Sequence, residues 1–120
     1  MKSVKNPKLE AFILGYFDNL EKKLKIFPPN DYIIGALKGS ITSKTIFKDA
    51  MEDADYDFTK AVFYTKNRLQ KILIDIKSEE SNAYYLGLKY SISSILANFI
   101  DFCEMFAEDF QPNQEFKRKY

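Results

Sequence analysis

The sequence predicts an all-α fold: an antiparallel three- or four-helix bundle built around a long helical hairpin, about residues 43–77 and 82–110. Three observations carry that expectation. Apolar residues recur at steps of three and four along most of the chain, the signature of one-sided helices. Gly and Pro number only four each, too few for the turns of an all-β chain. Hydrophobic residues make up 46% and charged ones 29%, the balance of a folded globular domain. At 120 residues the chain fits one domain, 1–120, with residues 113–120 expected as a flexible basic tail.

Asn6-Pro7 opens the first helix, with Asn as the cap and Pro where no N–H is needed. Leu9, Phe12, Ile13, Tyr16, Phe17, Leu20, Leu24 and Phe27 form its apolar stripe, and Pro28-Pro29 end it. Asn30-Asp31 cap a short second helix that carries Tyr32, Ile33, Ile34, Ala36 and Leu37, with Gly39 as its terminator.

From Ser43 to Ile76 the spacing is continuous through Phe47, Ala50, Met51, Ala54, Phe58, Ala61, Val62, Leu69 and Leu73. That phase predicts one helix ~50 Å long, or two that meet in register near Asp53–Asp57. The polar run Ser78-Glu79-Glu80-Ser81-Asn82 turns the chain, with Ser81 able to cap the final helix. This last helix carries Leu88, Ile92, Ile95, Leu96, Phe99 and Cys103 in phase, and Pro112 ends it.

Net charge is +1, so no overall excess draws the chain to nucleic acid or an anionic membrane. The single cysteine, Cys103, rules out an internal disulfide and reads as a small buried hydrophobe. Met1–Pro7 lacks the apolar core of a signal peptide, and no window reaches a membrane span, which predicts the cytoplasm and no membrane partner.

The chain has no histidine, which removes histidine-based triads and most zinc and di-iron ligand sets. Its glycines form no phosphate loop. Asp53-x-Asp55-x-Asp57 fails as a calcium loop because Phe58 stands where Gly is needed and Tyr64 where Glu is needed. Asp49-x-x-Glu52 opposite Asp101-x-x-Glu104 is similar to the magnesium-holding pairs of all-helical nucleotide pyrophosphohydrolases. The helical phase points those four side chains at solvent instead of one another. No catalytic residue, metal or cofactor is therefore expected, and a magnesium-dependent nucleotide pyrophosphohydrolase stands as the last of the alternative readings.

Three surfaces remain as candidates. Asp49, Glu52, Asp53, Asp55, Asp57, Asp101, Glu104, Glu108 and Asp109 are expected at one end, an acidic pole for a protein partner. With Phe47 marking the core direction of the 43–77 arm, Tyr56, Phe63 and Ile74 point outward, and the same construction on the last helix sends Leu86 and Tyr90 outward, which predicts a homodimer. The run Ser91–Ile95 adds small residues that permit close helix approach. Lys60, Lys66, Arg68, Lys71 and Lys77, with Lys117, Arg118 and Lys119, form the alternative, a nucleic-acid surface. In outline the chain resembles small four-helix-bundle proteins that associate with ribosomal RNA or reverse transcriptases, and the small helical subunits of RNA-guided complexes. The expected function is a non-enzymatic interaction module of inhibitor, immunity or adaptor type.

Overall fold

A computed structural model describes residues 6–76 and 82–110, with side chains described up to Met105. It contains four helices, α1 (Pro7–Ile26), α2 (Asp31–Asp53), α3 (Phe58–Asp75) and α4 (Ala83–Phe110), and no strand among the described residues. The all-α bundle expected from periodicity is what forms. Four helices fall within the expected number, whereas the helix boundaries and the pairing differ from expectation in ways that matter for the surface.

The helix starts follow cap chemistry. Asn6 Oδ1 accepts from the Leu9 amide at 3.1 Å, and Asn30 Oδ1 from the Ile33 amide at 2.8 Å. At α4 the cap is Asn82, whose Oδ1 accepts from the Tyr84 amide at 2.8 Å. Ser81 lies outside the described residues.

Gly39 does not end a helix. It is buried inside α2, which runs unbroken from Asp31 through the segment assigned above to a separate short helix. The reason is packing. A Cβ at Gly35 would overlap the carbonyl of Tyr84, and one at Gly87 would overlap the carbonyl of Tyr32. Gly39 faces Ser91 and the Leu88 carbonyl in the same way. These glycines let two backbones touch, which outweighs their weak helix propensity of ~1 kcal/mol each relative to Ala.

The same contacts fix direction. Gly35 meets Tyr84, Gly39 meets Leu88 and Ser91, and Phe47 meets Phe99, so α2 and α4 run parallel. Along the seam, residues at four-residue steps grow from Gly35, Gly39 and Ser43 to Phe47 on α2. On α4 they grow from Gly87 and Ser91 to Ile95 and Phe99. The pair therefore touches at its N-terminal ends and is held apart by rings further along.

The long hairpin arm 43–77 is broken. Ala54 caps α2, and the Tyr56 amide bonds back to the Met51 carbonyl at 2.7 Å while the Asp55 amide bonds to Glu52. That is a Schellman-type ending with Asp55 where glycine is usual, and both Asp55 and Tyr56 have positive φ, 56° and 62°. The Asp57 side chain then caps α3 by accepting from the Lys60 amide at 3.2 Å. Arg68 Nη2 lies 2.7 Å from Asp53 Oδ2. In one straight helix these residues would be ~22 Å apart, so the chain has doubled back. The antiparallel hairpin is thus α3 with α4, and residues 43–53 belong to the helix parallel to α4.

Lys44 and Asp53 stand nine residues apart on α2, about 180° around the helix. Lys44 pairs with Asp18 of α1 at 2.8 Å, and Asp53 pairs with Arg68 of α3. Hence α1 and α3 flank the α2–α4 pair from opposite sides. Where the pair splays, Phe47 meets Phe17 at 6.3 Å, Phe58 at 6.5 Å and Phe99 at 6.0 Å between ring centroids, one ring from each helix. All four are buried and tie the layers together.

Candidate interaction surface

The sides of the bundle are set by which helix faces are left over once the seam, α1 and α3 are in place. On α4 the exposed face beside the seam begins with Leu86 and Tyr90, one turn apart and 42% and 61% exposed. Tyr32, in the first turn of α2, is 38% exposed, and its ring lies 6.3 Å from that of Tyr90 at an interplanar angle of 38°. The backbone beneath is the Gly35–Gly87 crossing, so Tyr32 and Leu86 are anchored where two backbones meet. An apolar patch on a backbone without slack loses little entropy when a partner covers it.

Sequence phase identifies Leu86 and Tyr90 but gives Tyr32 only as part of a short helix, with no surface role. Gly35-x-x-x-Gly39 was the signal for Tyr32: that spacing marks a close helix crossing, and a crossing exposes the ring beside it. The small residues of Ser91–Ile95 likewise serve the interior, since Ser91 and Ile95 are buried. Ser93 and Ser94 face outward.

The other residues expected in a self-association surface do not join this patch. Tyr56 is exposed on the turn at the far end of α2, and Ile74 is exposed near the end of α3. Phe63 turns inward: it is half-buried against the core, with the Lys66 ammonium 5.8 Å from its ring centroid. Counted from Phe58 at 100° per residue it lies about 140° round α3, about 40° beyond the buried Thr59, so it packs at the edge of the stripe and not at its centre.

The carboxylates share an end but form no single patch. Because α2 and α4 are parallel, Asp49 comes level with about Ile100, not with Phe110 as a hairpin would require. Asp49 and Glu52 face away from the seam on α2, and Asp101 and Glu104 face away from it on α4, so the two sets lie on opposite outer sides. Asp53 is engaged by Arg68. Asp57 is 3% exposed and used as a helix cap, so it offers nothing to a partner. Asp55 is exposed on the turn, and the side chains of Glu108 and Asp109 lie outside the described residues. No group of acidic or cysteine side chains among the described residues converges as metal ligands.

The basic residues of α3 are dispersed. Arg68 is bound to Asp53 and lies 5.6 Å from the Tyr64 ring centroid. Lys60 and Lys71 share an exposed face, being eleven residues and about 20° apart, whereas Lys66 points about 120° away from it. Lys77, Lys117, Arg118 and Lys119 lie outside the described residues, as does the expected tail.

Cys103 is buried, and that burial pushes its thiol up to about 11, with Glu104 adding to the rise and Lys66 opposing it. A thiol of that kind is a packing group. Asn98 Nδ2 donates to the Tyr16 hydroxyl at 2.7 Å and joins α1 to α4, while burial raises the Tyr16 phenol above its ordinary range.

No family model, curated protein or solved structure matches the chain. Among the described residues no helix is long and apolar enough to cross a membrane.

Proposed function

We propose that the chain is a non-catalytic interaction module that binds a protein partner through the face formed by Tyr32, Leu86 and Tyr90. The carrying observation is the solvent-facing ring pair Tyr32–Tyr90 held over the Gly35–Gly87 crossing. Tyrosine supplies a large, stiff, amphipathic contact at small entropic cost, and such residues dominate interface energetics. Inhibitor, immunity and adaptor roles all use a surface of this kind.

The charged groups support binding over catalysis. The one buried charged side chain among the described residues is Asp57, and its carboxylate is committed to the α3 cap. A nucleic-acid role draws less support, because Arg68 is paired within the molecule and Lys66 points away from the face that Lys60 and Lys71 share.

The test is co-purification from the native host with tagged wild-type chain and with Tyr90→Ala. A stoichiometric protein retained by the wild type and lost from the variant supports this face. Equal recovery by both refutes it.

A further inference from the structure

The side of α1 turned away from α2 presents a second apolar surface. Phe12 is 61% exposed, although the periodicity assigns it to the core stripe. Gly15 has open space where a Cβ would stand, with no heavy atom within 4 Å. Around it lies a concavity of about 420 Å³ whose walls include Phe12, Tyr16, Asn19 and Lys23. A cavity of ~150 Å³ already admits a benzene ring, so there is ample room for a phenylalanine. The Tyr16 wall is fixed by its hydrogen bond to Asn98. Ile26 and Phe27, both exposed, continue the same stripe, within about 60° of Phe12 at 100° per residue.

We infer that this α1 face pairs with the α1 face of a second copy of the chain, antiparallel about a two-fold axis beside Asn19. The reason for a second copy is self-complementarity. With the axis between Asn19 and Leu20, Phe12 comes opposite Phe27 of the other copy and Tyr16 comes opposite its Lys23. Ring meets ring at both ends, and an ammonium meets a tyrosine face on either side of the centre. Two-fold symmetry makes each contact twice, as an isologous interface requires. Gly15, with no side chain, lets the two axes approach. Ser94, one turn before Asn98 on α4 and exposed, keeps the neighbouring floor small.

The area sets the strength. A 20-residue helix is ~30 Å long and ~10 Å across, so the pair covers ~300 Å² per copy. Stable dimers cover ~800 Å² per partner. The association is therefore a concentration-dependent equilibrium and not an obligate dimer.

Light scattering from about 10 µM to about 1 mM, the range where weak interfaces exchange, tests the inference on wild type, Phe12→Glu and Tyr90→Ala. The wild type and Tyr90→Ala should gain mass with concentration, and Phe12→Glu should need at least about tenfold more protein. Asn19→Cys gives an independent reading, because a residue beside the two-fold axis brings its own copy within the ~6 Å Cα separation of a disulfide. Under mild oxidant Asn19→Cys should form a covalent dimer, and Thr45→Cys on the outer face of α2 should not. The buried Cys103 does not compete. A strict monomer at the highest concentration would overturn the inference, as would an association abolished by Tyr90→Ala and untouched by Phe12→Glu. Because Tyr90 belongs to the proposed partner face and Phe12 does not, the two readings fail separately.

Discussion

The carbonyl oxygen of Tyr84 occupies the space where a side chain at Gly35 would begin. That relationship, repeated between Tyr32 and Gly87, turns α2 and α4 into one parallel unit and places Tyr32 beside Tyr90.

Replacing Gly35 or Gly87 by Ala should force the helices apart. Overpacking of this kind costs about 1–3 kcal/mol, with the upper end expected because the obstacle is backbone. Gly15→Ala, which meets nothing, should instead stabilise α1 by about 0.5–1 kcal/mol. Urea melts of the three variants at low concentration check the contrast.

Phe47 touches a ring from each of the other helices and is fully buried. Phe47→Ala should cost about 3–5 kcal/mol, since the rings around it cannot all close on the void. A thermal melt would show it, and a loss below about 1 kcal/mol would mean that the layers are not joined there.

The turn between α2 and α3 makes opposite predictions at two positions, Asp55 and Asp57. Asp55→Gly should stabilise by about 1 kcal/mol, because Asp55 adopts the left-handed conformation that glycine takes without steric cost. Asp57→Ala should destabilise by about 1 kcal/mol through loss of the α3 cap, and Asp57→Asn should retain most of it. Denaturant midpoints decide both.

Ser91 Oγ is buried with no hydrogen-bond partner. Ser91→Ala removes that orphan and should be neutral or stabilising by about 1 kcal/mol, which differential scanning calorimetry reads directly.

The Cys103 thiol stands at about 11 in the folded chain against an ordinary 9.0. Its neutral form is therefore favoured by folding, and as pH rises the unfolded chain ionises first. Stability contributed by this group is present below pH 9.0 and is lost between 9.0 and about 11. Cys103→Ala should flatten that part of the stability–pH curve relative to wild type, measured by urea titration across the window.

The helical class and most caps were legible because periodicity and cap residues are local. Asn6, Asn30 and the end of α1 before Pro28 follow from neighbours alone. The reversal at Asp55–Tyr56 was not legible, because a four-residue turn keeps Ala54 and Phe58 at helical spacing. Continuous phase therefore concealed a change of direction. Gly39 misled for the opposite reason: glycine is both the usual helix terminator and the residue of closest helix contact, and only a partner backbone tells the two apart.

The surfaces inherited those errors. Leu86 and Tyr90 were found because their phase is referenced to α4 itself. Phe63 was placed outward because it lies at the edge of the α3 stripe, where partial cover by neighbours decides burial. Phe12 was assigned to the core stripe because phase alone does not say how wide a stripe the neighbours cover.

Partner capture by three forms of the chain separates the tyrosine face from the acidic end: wild type, Tyr32→Ala/Tyr90→Ala, and Asp49→Asn/Glu52→Gln/Asp101→Asn/Glu104→Gln. All six positions are exposed, so each form should fold, as circular dichroism would verify. The tyrosine variant should lose the partner and the carboxylate variant should keep it. Retention by the tyrosine variant together with loss from the carboxylate variant would contradict the proposed face and return the binding surface to the acidic end.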